Sequence, residues 1–246
     1  SFHTDTPTIV TMGMFDGVHV HRELIGQLVS EAKTRGCESV VMTFWPYPAV
    51  ALGKTSDIKL LTTLDEKLSI LSELVDHVIV QEFTPDFAAM SGLEYVQRVL
   101  VEQLHVQMVM IHDHRFGRDR GAGYDDLVGR GHDYGFTVAR TDAHQHSDQV
   151  ISSTAVRQSI IIGDMTRAHE LLGYAYRMRG VLSLERKFRE SMTASFVLCD
   201  DIKLIPDGVY RVQIGDVVRE FTVVVMSILQ HRDSVVFDEK LEIVFA

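Results

Sequence analysis

Met12-Gly13-Met14-Phe15-Asp16-Gly17-Val18-His19-Val20-His21 decides how the chain is read. A short apolar run, Thr8 to Met12, leads into it, and the helical pattern Leu24, Leu28, Val29, Ala32 leads out. A strand that ends in a glycine-bearing turn and feeds a helix is a common phosphate site. Glycine lets the backbone approach the phosphate, and the helix N-terminus offers unpaired N–H groups and the positive end of its dipole. His19 and His21 stand where they could donate hydrogen bonds to phosphate oxygens. The same residues also fit a strand-to-helix turn with two ordinary polar histidines.

Outward from this stretch, short apolar runs alternate with helical patterns up to about Gly180. The spacing predicts strands over 9–12, 39–44, 77–80, 107–111 and 136–139, and helices over 22–35, 64–74, 93–104, 124–134, 153–162 and 165–172. Gly36 reads as a helix stop, and Thr63 and Asp65 as helix-start signals. Strand–helix alternation with continuous apolar strands implies an α/β fold, a Rossmann-like parallel sheet with helices on both faces. After Gly180 the pattern changes to strands over 209–214, 219–228, 234–237 and 241–245, with a turn at Pro206-Asp207-Gly208. Two domains are expected: 1–180, and a smaller antiparallel, barrel-like β domain over 181–246.

The totals narrow the function classes. The chain has 246 residues, of which 46% are apolar, enough for a full core and too many for a disordered chain. A net charge of −10 argues against a nucleic-acid surface as the main role. No apolar run is long enough to span a bilayer, and no signal segment is evident. Cys37 and Cys199 show no CxxC or metal spacing, and the 12 histidines form no Cys–His pattern. A soluble cytoplasmic protein with reduced thiols is the expectation.

Three further stretches could carry chemistry. Thr43-Phe44-Trp45-Pro46-Tyr47-Pro48 ends the second strand, where two prolines stiffen a loop and aromatics could line a ring pocket. Ile111-His112-Asp113-His114-Arg115-Phe116-Gly117-Arg118-Asp119-Arg120-Gly121 ends the fourth and fits either an anion site or a solvated charged loop. Ile151-Ser152-Ser153-Thr154-Ala155-Val156-Arg157 opens a helix. Capping accounts for its serines but not for Arg157, one turn in. All four stretches are expected at the same edge of the sheet, where open parallel sheets bind ligands.

Together these residues resemble the bacterial FAD synthetase family, usually bifunctional riboflavin kinase/FMN adenylyltransferases. The likeness runs in order over nearly the first 180 residues, and Leu171-Leu172-Gly173-Tyr174-Ala175-Tyr176, Gly180 and Pro206-Asp207-Gly208-Val209-Tyr210 are similar to the family's kinase link and module. The resemblance implies a nucleotidyltransferase that moves AMP from ATP to FMN, with Mg2+, giving FAD and pyrophosphate. It implies catalytic roles for His19, His21 and Arg157. Gly13, Phe15, Asp16, Gly17, Asp113, Ser152, Ser153 and Thr154 would bind ATP and its phosphates. Phe44, Pro46, Pro48, Phe116, Gly117 and Arg118 would bind the flavin. Small-molecule substrates are the partners implied; no metal ligand, oligomeric state or nucleic-acid or membrane partner follows from it.

The chain also departs from the family. The His-x-Gly-His signature is shortened to His19-Val20-His21, and a glycine is likewise absent within Leu74-Val75-Asp76 and before His112. Three such losses at motif positions point to a sequence that lacks residues of the full protein. If the shortening is intrinsic, His21 is turned by roughly 100° on its helix. Met14, Tyr47 and His114 replace the family's usual residues, and the kinase signature is not found between Val181 and Pro206. Riboflavin kinase activity is therefore an open expectation. The alternative is a flavin- or nucleotide-binding regulatory protein of the same fold with impaired turnover. A relative acting on another small phosphate acceptor is a third reading, which the β tail disfavours.

Overall fold

The computed structural model of the protein describes residues 4–18, 21–55, 58–111, 117, 123–141, 145–146, 149–150, 152–186, 192–198, 208–214, 217–223 and 235–245; for 145–146, 149–150 and 179 onward it describes the backbone alone. Two compact units emerge: Ser1–Ile58 with Leu64–Val150, and Lys59–Thr63 with Ile151–Ala246.

In the first unit the described elements run β1 (Thr8–Met12), α1 (Arg22–Arg35), β2 (Glu38–Trp45), α2 (Pro48–Ala51), α3 (Leu64–Ser72), β3 (His77–Glu82), α4 (Pro85–Ala89), α5 (Gly92–Tyr95), a π-helical segment (Val96–Gln103), β4 (Val106–Ile111), α6 (Tyr124–Tyr134), β5 (Thr137–Arg140) and the short strands β6 (Gln145–His146) and β7 (Gln149–Val150). β1 to β5 form a five-stranded sheet in the order β3-β2-β1-β4-β5, parallel throughout. Successive residues of a strand point to opposite faces. Val10, Met12, Val40, Met42, Val109 and Ile111 accordingly pack with Tyr95, Val99, Leu100 and Leu127 from the α5–π segment and α6. Ile9, Val41, Met108 and Met110 pack with Ile25, Leu28 and Ala32 of α1 and Leu71 of α3. Both faces are covered, which is why consecutive positions such as Ile9-Val10 and Val40-Val41-Met42 are apolar and buried.

The parallel sheet agrees with the expectation, and α1 and α6 fall at the expected residues. α1 ends on Gly36 in the left-handed conformation, whose N–H returns to the Ala32 and Lys33 carbonyls. Over 93–104 a single α-helix was expected. The structure instead has one α-turn and then a π-helix, with the Leu104 N–H reaching the Val99 carbonyl, five residues back. Apolar spacing does not distinguish i→i+4 from i→i+5 bonding. α2 and α4, of four and five residues, are too short to show a period. Each opens on a proline, which suits a first helical position.

In the second unit α7 (Ser153–Ile161) and α8 (Met165–Leu172) are followed by β8 (Arg177–Arg186), β9 (Met192–Leu198), β10 (Gly208–Ile214), β11 (Val217–Val223) and β12 (Val235–Phe245). β8 to β12 form an antiparallel sheet in the order β11-β10-β12-β8-β9. β8 and β9 were not among the expected strands; Arg177, Arg179, Glu185 and Arg186 break the apolar run of β8, and Thr193 and Ser195 that of β9. The two strands expected over 234–237 and 241–245 are one strand, β12, whose pairing with β8 shifts register between Val236 and Lys240. The polar residues at that irregularity read as a break.

Two glycines of α6 give opposite expected results. A Cβ on Gly131 would lie 2.5 Å from the Phe136 carbonyl oxygen, whereas one on exposed Gly129 would meet nothing within 4 Å. Alanine favours a helix over glycine by about 1 kcal/mol, and forcing overlap on a packed backbone costs about 1–3 kcal/mol. Gly129→Ala raises the thermal midpoint and Gly131→Ala lowers it, which parallel melting curves would read.

Candidate functional site

The sheet order places β2 and β4 on either side of β1, so the direction of winding reverses at β1. Ligands of open parallel sheets bind beyond the carboxyl ends of the strands at such a point. The 13–21 stretch leaves β1 there, and the 112–121 stretch follows β4.

The turn after β1 is tightly specified. The Gly13 N–H donates to the Met42 carbonyl at 3.0 Å, continuing the sheet by one residue. A Cβ on Gly13 would sit 3.4 Å from the Phe15 ring. Phe15, Gly17 and Val18 all have positive φ, of 48°, 79° and 41°. For Phe and Val this is costly backbone. It is held because both side chains are buried, Phe15 at 2% and Val18 at 0% exposure, in the cluster shared with α1. The Val18 N–H closes onto the Phe15 carbonyl at 3.0 Å, and the His21 N–H onto the Val18 carbonyl at 2.9 Å. Asp16 is buried. His21 is the N-cap residue of α1 and makes no side-chain cap bond; its ring meets the Phe15 ring edge-on with centroids 5.0 Å apart. His19 lies outside the described residues.

Two residues that the sequence reading did not assign to the site hold this turn from below. The Met14 carbonyl accepts from Lys67 Nζ at 3.0 Å and from Thr43 Oγ1 at 3.2 Å. Lys67 is buried. Burial pushes its ammonium down to about 8, while neighbouring Asp16 acts to raise it. A signal was available: Lys67 follows Leu64 by three residues and precedes Leu71 by four, so a charge sits on the apolar stripe of α3.

At the end of β2, Phe44 packs against Phe83 and Phe87, each with ring centroids 6.0 Å away. Phe87 in turn meets Tyr95, whose hydroxyl lies 3.3 Å from both Met12 Sδ and Met42 Sδ. The Trp45–Pro46 bond is cis, and Pro48 opens α2. In the third stretch Ile111, which ends β4, and Gly117 are described; Asp113, Phe116 and Arg118 lie outside the described residues. Gly117 has φ 74°, and a Cβ there would lie 2.7 Å from the Gly92 nitrogen.

The fourth stretch belongs to the second unit. Ser152 caps α7, its side chain accepting from the Ala155 N–H at 3.2 Å. Ser153 and Thr154 form the first turn, and Arg157 follows four residues after Ser153 on the same helical face. Arg157 Nε donates to the Lys59 carbonyl at 3.1 Å. Gly13–Gly17 thus belong to the first unit and Ser152–Arg157 to the second. Among the described residues no three His, Cys, Asp or Glu side chains are grouped to hold a metal.

The profile of the FAD synthetase family matches residues 1–155. A bifunctional riboflavin kinase/FMN adenylyltransferase of Listeria monocytogenes is 32% identical over 217 residues, covering 85% of this chain and 68% of that protein. The protein of the same description from Escherichia coli K12 is 35% identical over 175 residues, covering 70% of this chain and 56% of its own length. That of Bacillus subtilis is 31% identical over 218 residues, with 84% and 67% covered. A solved structure described as a macrolide-efflux protein from Streptococcus pneumoniae matches with a TM-score of 0.80 at 24% identity, covering 100% of this chain and 81% of that one. At that identity the likeness speaks for the fold alone.

Proposed function

Because the chain belongs to the FAD synthetase family, we propose that it transfers the adenylyl group of ATP to FMN, giving FAD and pyrophosphate. The observation that carries this reading is the glycine-bearing turn at the winding reversal of the sheet, inside the span that the family profile matches. A phosphate oxygen of FMN attacks the α-phosphorus of ATP. The new P–O bond forms as the bond to the bridging oxygen of the β-phosphate breaks, and pyrophosphate leaves. FMN brings an anionic nucleophile, so the protein need not supply a strong base. Positioning and donors to the phosphates can supply the catalysis.

In this reading His19, His21 and Arg157 neutralise charge on the transferring phosphates. Gly13, Phe15, Asp16, Gly17, Asp113, Ser152, Ser153 and Thr154 shape the ATP site, and Phe44, Pro46, Pro48, Phe116, Gly117 and Arg118 the flavin side. Mg2+ enters as part of the substrate, MgATP, held chiefly by phosphate oxygens. The domain assignment proposed is adenylyl transfer for 1–180 and a riboflavin-kinase-like β-barrel for 181–246; the antiparallel order of β8–β12 supports the latter. No helix among the described residues is long and apolar enough to cross a membrane, and Cys37 is a free thiol, which suits a cytoplasmic enzyme.

The shortened His19-Val20-His21 spacing favours a second reading, a flavin-binding regulatory protein without turnover. The purified chain with FMN and MgATP separates the two. Pyrophosphate release that depends on FMN supports the transferase; flavin binding with no release supports the regulator. Riboflavin with MgATP, followed for FMN formation, tests the kinase activity in parallel.

A further inference from the structure

Lys67 is a charged side chain in a core position. It is 3% exposed, on α3, and its Nζ is spent on one carbonyl, that of Met14, at 3.0 Å. Burying an ammonium is costly, and an apolar residue of similar size usually serves a core as well or better. What the ammonium reaches is the start of the turn in which Phe15 and Val18 carry positive φ. Thr43 Oγ1 braces the same oxygen from β2 at 3.2 Å, and Asp16 of the turn supports the positive charge. The lysine side chain is buried, and its Nζ faces the backbone of the turn.

We propose that Lys67 is a positioning residue for ATP: by clamping the Met14 carbonyl it fixes the turn over residues 15–18 in the shape that receives the nucleotide phosphates. This rests on the assignment of that turn to ATP. Positive φ at Phe15 and Val18 is costly backbone, and the clamp at Met14 opposes its relaxation. Removing the clamp lets the turn relax, so affinity for ATP falls while the flavin side is unaffected.

The test is titration calorimetry of the full chain with MgATP alone and with FMN alone, on wild type, Lys67→Met and Lys67→Gln. The expected result is a Kd for MgATP raised about tenfold or more in both variants, with the Kd for FMN within about twofold of wild type. A purely structural lysine would lower the fraction of binding-competent protein and leave the Kd for MgATP unchanged; that result overturns the proposal. Should Lys67→Met not fold, Lys67→Gln, which retains a donor, is read on the same scale. The adenylyl-transfer assay on wild type keeps the two readings apart. Wild type that binds MgATP without making FAD overturns the transferase alone, and an unchanged Kd in an active variant overturns the clamp alone. Wild type that binds no MgATP overturns both.

Discussion

Arg157→Ala lowers the turnover of adenylyl transfer by about 10²–10³-fold, the scale of removing one preorganised donor from a developing anion. It leaves the fold nearly untouched. The bond from the side chain's Nε to the Lys59 carbonyl is solvent-exposed at 3.1 Å, and an exposed bond of this kind contributes about 0.5–1.5 kcal/mol. Alanine is at least as good a helix former as arginine, which offsets part of that loss. The comparison is therefore a large kinetic effect against a small thermal one, measured by pyrophosphate release beside a melting curve. Capping already accounts for Ser152, so Arg157 is the residue of this stretch whose role rests most on chemistry. Wild-type turnover in the variant would remove Arg157 from the site.

Gly117→Ala raises the KM for FMN by about tenfold or more and lowers the thermal midpoint by several degrees, the scale of about 2–4 kcal/mol. Two costs combine. With φ at 74° the backbone is left-handed, which costs a residue with a Cβ about 1–2 kcal/mol. The Cβ would also lie 2.7 Å from the nitrogen and 2.9 Å from the Cα of Gly92. Those are backbone atoms of the α5 first turn, fixed by the Ser91–Glu94 capping box, so the 117 segment must move instead. Gly53→Ala separates the terms: it has φ 63° and nothing within 4 Å of the added Cβ, so it incurs the backbone cost alone. Equal destabilisation in the two variants would show that the contact with Gly92 carries no weight, and an unchanged KM for FMN would take Gly117 out of the flavin site.

The parallel sheet was legible because burial on both faces leaves an unbroken mark: every residue of Thr8–Met12 is buried. α1 was legible at both ends because Gly36 stops it and its apolar stripe begins just past the turn. The π-helix was not, since the stripe of Val96, Val99 and Leu100 satisfies the α and π patterns alike. In the tail, β12 was split because Asp238, Glu239 and Lys240 interrupt its apolar run, while the backbone continues through them with a shift of register. For the site, the turn after β1 could be located from glycine and histidine spacing. Its support could not: Thr43 and Lys67 reach the Met14 carbonyl from 29 and 53 residues away, a meeting that only the tertiary fold brings about.

Lys59–Thr63 lie early in the chain yet belong to the compact unit formed with Ile151–Ala246. The Lys59 carbonyl and Arg157 Nε are 98 residues apart in sequence. During synthesis at about 5–20 residues per second, Lys59 therefore waits on the order of 5–20 s for its partner to be made. Over that interval β1 and β2 already exist and can pair, but the second unit cannot close. Assembly is thus ordered by translation, and a pause before Arg157 is made lengthens the time for which the 59–63 segment stays exposed to other chains and to proteases.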